Sequence, residues 1–412
     1  MTNPKAPQGS GVDSSYAWCR LAASLALGTI GGVGMWSTVV ILPAAQADFG
    51  VGRGTASIPI MLLMLGFGLG GVVLGRMADK LGIIPVMLAG IAAIGLGYGW
   101  AGMAPSFWQF ALAHGLLIGL FGCAAVFGPL IADISHWFLR HRGIAVATAA
   151  MGNYLAATLW APVVQHFTST QGWRPTMIGI GLFCVITMLP LTLVLRRKVS
   201  RQDALVNAAR ASLGAETLGL SSRALQVLLI VAGIACCVAM SMPQVHTVAY
   251  CSDLGFGTAP GAHMLSLMMG FGMISRLASG FIADRIGGLP TLMISSVAQG
   301  SALVLYLLFS SLPSLYVISA LFGLFQGGLV PSYAIIVRTY YPPHEAGTRI
   351  GLVLGATMLG MALGGWMNGV VFDMTGSYAA AFINGVLWNF LHIIVVLFLL
   401  LRSRPSRRLA MA

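Results

Sequence analysis

"GRMADKLGIIP", Gly75–Pro85, returns as "GFIADRIGGLP", Gly280–Pro290. The two stretches share Gly, Ala-Asp, Gly and Pro at a constant offset of 205 residues (280 minus 75). Each follows one long apolar run and precedes another. A motif that recurs at half the length of a chain marks a duplicated unit. The chain is therefore read as two copies of one arrangement.

Outward from the motif the flanks are apolar nearly everywhere. Of 412 residues, 58% are hydrophobic and 8% charged. The mean hydropathy is +0.89. A water-soluble domain of this size cannot hide so much apolar surface. A hydrocarbon layer about 30 Å thick needs roughly 20 apolar residues per helix. Twelve runs meet that need, at 18–43, 55–78, 83–103, 106–132, 143–166, 174–195, 224–249, 261–283, 289–309, 313–338, 347–371 and 378–401. They are continuously apolar rather than alternating, and backbone groups in lipid must pair within their own segment, so they predict helices and not a barrel. The expected fold is an all-α integral membrane protein with twelve transmembrane helices in two six-helix halves. The expected domains are a tail at 1–17, a first half at 18–195, a basic linker at 196–223, a second half at 224–401 and a tail at 402–412.

The formal net charge is +12. Its distribution argues for topology rather than for nucleic acid. With the N-terminus on the cytoplasmic side, 19 of the 22 Lys and Arg residues fall inside, only Arg53 and Arg174 fall outside, and Arg276 is left over. Such a bias predicts both termini in the cytoplasm of a multi-pass protein of the cell (inner) membrane. Anionic lipid is the partner expected for the basic loops. The first apolar run is too long for a signal peptide. Six cysteines, at 19, 123, 184, 236, 237 and 251, show no CxxC spacing and predict neither a disulfide framework nor a metal site. "GFGLGG", Gly66–Gly71, matches a dinucleotide-binding pattern but lies inside an apolar helix, where close helix packing explains it. There is no GxxxxGK[ST] loop, so ATP is not expected to act on this chain directly. No catalytic residue and no cofactor is expected.

G-x-x-x-D-[RK]-x-G between the second and third helices resembles the signature of the major facilitator superfamily. Gly75, Asp79, Lys80 and Gly82 carry it, and Gly280, Asp284, Arg285 and Gly287 carry its copy. Two further segments resemble the monocarboxylate and oxalate–formate antiporter branch. One is "SHWFLRHRGIAVATAAMGNYLAATLWAPV", 135–163. The other is "PQVHTVAYCSDLG", 243–255, followed by "SRLASGFIADRIG", 275–287. The resemblance spans essentially the whole chain. It implies a transporter that works by alternating access, as a monomer.

The twin aspartates stand near helix ends beside a cation, where the helix dipole and an ion pair favour a carboxylate. Asp79–Lys80 and Asp284–Arg285 are read as conformational latches that form in one state and break in the other. The plainer alternative is charged turns that mark helix ends.

Arg276 lies 13 residues after His263 and 8 before Asp284. At about 1.5 Å per residue it is roughly 20 Å from one end of its helix and 12 Å from the other. Its side chain reaches only ~6–7 Å toward water, and facing lipid at that depth costs at least ~2.5–3.5 kcal/mol. The residues three and four away, Gly272, Met273, Ser279 and Gly280, are small or flexible. No acidic residue lies mid-membrane to neutralise the charge. A resident cation without a resident anion suggests that the substrate brings the anion, and guanidinium binds carboxylate through two parallel hydrogen bonds. The resemblance implies the same role for the helix-eight arginine. The alternative is an arginine satisfied by carbonyls and hydroxyls at a helix crossing.

His246 and Asp253, near the outer end of helix seven, are candidates for proton coupling, and His246 also for the cavity wall. The sequence departs from some relatives by having Gly272 where they carry an acid, and no lysine in helix one. Asn153, Tyr333 and Trp36 are further substrate-binding candidates, with Trp160 and Asn368 beside them; interhelical packing is the alternative for each. The functional expectation is a secondary transporter of a small organic anion, chiefly a monocarboxylate. Proton symport, uniport and anion exchange all stay open. The rival readings are an efflux pump for larger amphipathic compounds and a membrane sensor without transport.

Overall fold

The computed structural model describes residues 13–138, 142–197, 218–341 and 343–409. Within them nothing is described of the side chains of Asp79 and Asp284, so the two latch aspartates lie outside the described side chains. Twelve helices among the described residues are long and apolar enough to span a membrane. They are α1 (Ser15–Phe49), α2 (Arg53–Ala78), α3 (Ile83–Met103), α4 (Phe107–Trp137), α5 (Ile144–Gln171), α6 (Trp173–Arg196), α7 (Ser222–Asp253), α8 (Thr258–Ala283), α9 (Gly288–Leu308), α10 (Leu312–Tyr340), α11 (Thr348–Thr375) and α12 (Tyr378–Ser403). The described residues form no strand. Large apolar side chains such as Leu69, Leu96, Ile186, Phe281 and Leu387 are exposed on the outside of the bundle, as lipid-facing positions require.

Several helices outrun the apolar runs that predicted them. α1 is the clearest, beginning at Ser15 and continuing to Phe49. Hydropathy ends a span at the first polar residues, whereas helical hydrogen bonding continues beyond the hydrocarbon layer. α1 also breaks once, at Gly32. α4 contains a π-helical segment at Ala113–Cys123.

The duplicated motif has a backbone cause. The helix of α2 continues to Leu81 and stops at Gly82, with φ 87° and ψ 169°. The helix of α8 continues to Ile286 and stops at Gly287, with φ 91° and ψ 165°. This region is open essentially only to glycine. The same residue at the same offset thus makes the same sharp corner in both halves. Pro85 and Pro290 follow within the first turn of the next helix, where proline is tolerated.

Glycines also set how closely helices approach. A Cβ at Gly66 or Gly70 would collide with the backbone of Gly115 or Leu120, so α2 packs directly on α4. In the second half, Gly323 and Gly327 bring α10 against the α8 backbone at Met268 and Gly272. Close helix packing is therefore what "GFGLGG" provides.

Near the termini one ion pair ties the first half together. Arg20, 1% exposed, donates from Nε and Nη2 to both oxygens of Asp133 at 2.7 and 2.8 Å. Its Nη1 donates to the Arg197 carbonyl at 3.1 Å, and its Cζ lies 4.6 Å from the Trp137 ring centre. The pair joins α1 to α4 and to the end of α6. Removing one partner of a buried pair leaves the other charge uncompensated. Asp133→Ala should therefore destabilise the purified protein by about 3–5 kcal/mol. Asp48→Ala, which breaks the exposed Arg174–Asp48 pair, should cost less than about 1 kcal/mol. Thermal unfolding of the two variants side by side checks this ranking.

Candidate functional site

Arg276 stands where α8 meets α5 of the other half. Its Cζ lies 4.3 Å from the centre of the Tyr154 ring. Its Nε is buried, and among the described residues has no hydrogen-bond partner. Among the described residues the ion pairs Arg20–Asp133, Arg53–Asp253 and Arg174–Asp48 form without it. The partly buried guanidinium thus lies against an aromatic ring of the other half, with Nε unpartnered among the described residues. Gly272, one turn before it, has a packing role. A Cβ there would lie 2.5 Å from Tyr154 Cε1, so the Tyr154 ring occupies that space.

Trp36 and Asn153 come together one residue away. The Trp36 indole N–H donates to Asn153 Oδ1 and to the Asn153 carbonyl, both at 3.1 Å. The contact links α1 to the turn of α5 that carries Tyr154. Trp160 donates to the Thr29 carbonyl at 3.0 Å, which pins the same pair of helices a little further on. Asn153, which holds Trp36, is thus the chain neighbour of Tyr154, the ring beside Arg276 and a residue that the sequence reading passed over.

Tyr333 belongs to a different cluster. Its hydroxyl and His392 Nε2 are 2.9 Å apart, and His392 Nδ1 is 2.6 Å from Ser296 Oγ. All three are buried, and they join α10 to α12 and α9 inside the second half. Asn368 is also enclosed there, accepting from Asn384 at 2.9 Å and reaching Ser241 at 3.4 Å. Gln244 of α7 donates to Gln326 of α10 at 2.6 Å, a buried amide pair that hydropathy did not single out.

The end of the molecule opposite the termini is closed by a clamp between the halves. The Arg53 guanidinium, on α2, donates to Asp253 of α7 at 2.8 Å. The backbone N–H groups of Arg53 and Gly54 donate to the two Asp373 oxygens of α11 at 2.7 and 2.6 Å. The rings of Phe372 and Tyr378 flank the guanidinium, 5.3 and 6.0 Å from it. Asp253, a proton-coupling candidate, is therefore an ion-pair partner in this arrangement. His246 lies one ring away, 6.2 Å from Tyr378. Its Nε2–H donates to the Gly365 carbonyl at 2.8 Å, and its Nδ1 is buried without a partner among the described residues.

Burial follows the same division. Every residue of Gly31–Leu42 in α1 and of Ala235–Cys251 in α7 is buried. Between the halves, close contacts run from the clamp through Gln165–Thr258, at 2.6 Å, and Ser266 donating to the Thr158 carbonyl, to Tyr154–Arg276. Nearer the termini, Gly75, Gly280, Gly351 and Gly355 face open space. Lys80 and Arg285 are exposed at that end.

Comparison with known proteins agrees with this fold. The profile of the Major Facilitator Superfamily matches residues 25–300 and again 279–411, and the chain belongs to that family. It is 28% identical to Monocarboxylate transporter 13 of Rattus norvegicus over 331 residues, 80% of this chain and 75% of the relative. It is 24% identical to the MFS-type transporter pynF of Aspergillus niger over 324 residues, 77% and 71% of the two chains. Among solved structures it is similar to a bacterial homolog of the human lysosomal transporter Spinster, with a TM-score of 0.68 at 15% identity, covering 93% of this chain and 96% of that one. The protein is a multi-pass membrane transporter of the major facilitator fold.

Because the Arg53 guanidinium holds Asp253 across the halves, its loss should loosen the closed end. Arg53→Gln should raise maleimide labelling of a cysteine placed at Val40, which is buried in α1. Mass mapping of each labelled site checks this, with the buried native cysteines as internal controls.

Proposed function

We propose that the protein transports a small monocarboxylate, with Arg276 binding the carboxylate at the interface between the two halves. The observation that carries this reading is the uncommitted guanidinium. Arg276 lies inside the bundle beside Tyr154, with Nε unpartnered and no resident carboxylate in the described ion pairs. A planar carboxylate fills such a fork with two charge-assisted hydrogen bonds. Relatives named monocarboxylate transporters, at about 28% identity, support the substrate class. The Trp36–Asn153 pair supplies the adjoining polar and aromatic wall.

The termini are assigned to the cytoplasm by the positive-inside bias, which puts the Arg53 clamp on the outer side. The clamp then closes the outward path, while Asp79–Lys80 and Asp284–Arg285 are latches for the opposite state. Alternating access requires such paired closures, each present in one state only. We assign proton coupling to His246. It has a vacant ring nitrogen and sits beside Tyr378, which flanks the Arg53 guanidinium. A proton on Nδ1 adds positive charge next to the clamp and favours its release.

Arg276→Gln should abolish thermal stabilisation of the purified protein by small carboxylates while leaving it folded. Arg276→Lys should rescue poorly, because an ammonium cannot reproduce the fork. Wild-type binding by Arg276→Gln would sink the assignment. In proteoliposomes, uptake of labelled substrate should rise as external pH falls, since a proton on His246 adds positive charge beside the clamp and favours its release. His246→Gln should flatten that dependence more than it lowers the maximal rate. Accumulation driven by an opposing organic anion, with no response to a pH gradient, would instead make the protein an exchanger.

A further inference from the structure

A carboxylate beside an arginine occupies N–H donors along the edge of the guanidinium. An aromatic ring shields the charge without offering a lone pair and so takes none of them. Arg276 has the second kind of neighbour, the ring of Tyr154, 4.3 Å away. The two residues come from different halves, Tyr154 from α5 and Arg276 from α8.

The position of Tyr154 is over-determined. Its ring lies in the space left by Gly272, where a Cβ would stand 2.5 Å from Cε1 and 2.9 Å from Cδ1. The preceding residue, Asn153, is held to α1 by the Trp36 indole at 3.1 Å. Gly152 packs on α1 so closely that a Cβ there would come within 3.2 Å of the Gly28 backbone. One turn further, the Thr158 carbonyl accepts from Ser266 of α8. The ring is therefore fixed from α1, α5 and α8 together.

We propose that Tyr154 is the positioning residue of the anion site, its ring holding the Arg276 fork in place from the opposite half with the hydrogen-bond donors left free for a substrate carboxylate. The proposal rests on the assignment of Arg276 as the carboxylate-binding group. The ring does this work and the hydroxyl does not, since stacking needs only the π face. Gly272 is part of the same device, because any side chain there displaces the ring.

The experiment measures apparent affinity by ligand-induced thermal stabilisation of the purified full chain, with acetate, lactate and pyruvate as probes. Tyr154→Phe should keep the wild-type affinity within about twofold. Tyr154→Leu should weaken it about tenfold, the loss expected for a partly desolvated cation–π contact. Gly272→Ala should weaken binding as well, and should add little once Tyr154 is already Leu, because both changes act on one contact. The unfolding temperature of each unliganded variant separates this from a packing role, which lowers that temperature without changing affinity. Unchanged affinity in Tyr154→Leu, or an equal loss in Tyr154→Phe, overturns the proposal. If Arg276→Gln loses binding while Tyr154→Leu does not, only this inference falls. If Arg276→Gln binds normally, or none of the three probes stabilises the wild type, the monocarboxylate reading falls and this proposal with it.

Discussion

A guanidinium inside a bilayer must be shielded, and the way it is shielded decides what it can still do. Three arginines of this chain, Arg20, Arg53 and Arg276, meet different fates. Arg20 is saturated, with Asp133 on two of its nitrogens and the Arg197 carbonyl on the third. Arg53 is half committed. Its Nη2 holds Asp253, while its Nε and Nη1 have no partner among the described residues. Arg276 is shielded by the ring of Tyr154, with Nε unpaired. The series runs from a saturated tie, through a half-committed clamp, to a guanidinium stacked on a ring with Nε unpaired.

The positions of the three follow from what each location asks. Arg20 sits within the first half, at α1, α4 and α6, where nothing in an alternating-access cycle has to separate. A buried bidentate pair is costly to break, and here it joins elements of one rigid unit. Arg53 bridges the two halves, which the proposed alternating-access cycle has to separate, so full saturation there would work against that cycle. Its bonds to Asp253, and those of its backbone to Asp373, close one end without sealing it by apolar packing alone. Arg276 lies on the α5–α8 seam, where Tyr154 and the Thr158 carbonyl of one half meet Arg276 and Ser266 of the other.

Much of this was legible in the sequence, though unevenly. The depth of Arg276 could be read by counting residues along an apolar run, because helical rise is constant. That it has no carboxylate partner among the described residues could be expected because acidic residues are so few, 10 in 412. Trp36 and Asn153 were singled out separately, as polar-capable residues in apolar helices, but their bond to one another was not. Tyr154 gave no signal, since one aromatic residue in an apolar helix is ordinary. Gly272 looked like a small neighbour of Arg276 and a missing acid, and the ring that fills its space was not foreseen. Tyr333 looked like Asn153 by the same criterion, yet it faces His392 within the second half. The side a residue faces depends on helix rotation, and hydropathy that is high all round a helix does not report rotation.

By itself the sequence determined the number of spans, their helical nature, the two-fold repeat and the corners at Gly82 and Gly287. Each of these is settled by local chemistry. Apolar length is matched to a bilayer, backbone groups must pair within a segment, and only glycine takes the backbone angles of those corners. The tertiary structure alone decided which residues meet across the halves: Arg53 with Asp253 and Asp373, Tyr154 with Arg276, Gln165 with Thr258. These pairs are separated by more than 90 residues in the chain, as the 93 between Gln165 and Thr258 shows. No periodicity within one helix encodes such a partner. It is chosen by how two six-helix bodies dock, and that depends on the summed shape and small-residue packing of surfaces drawn from many helices at once.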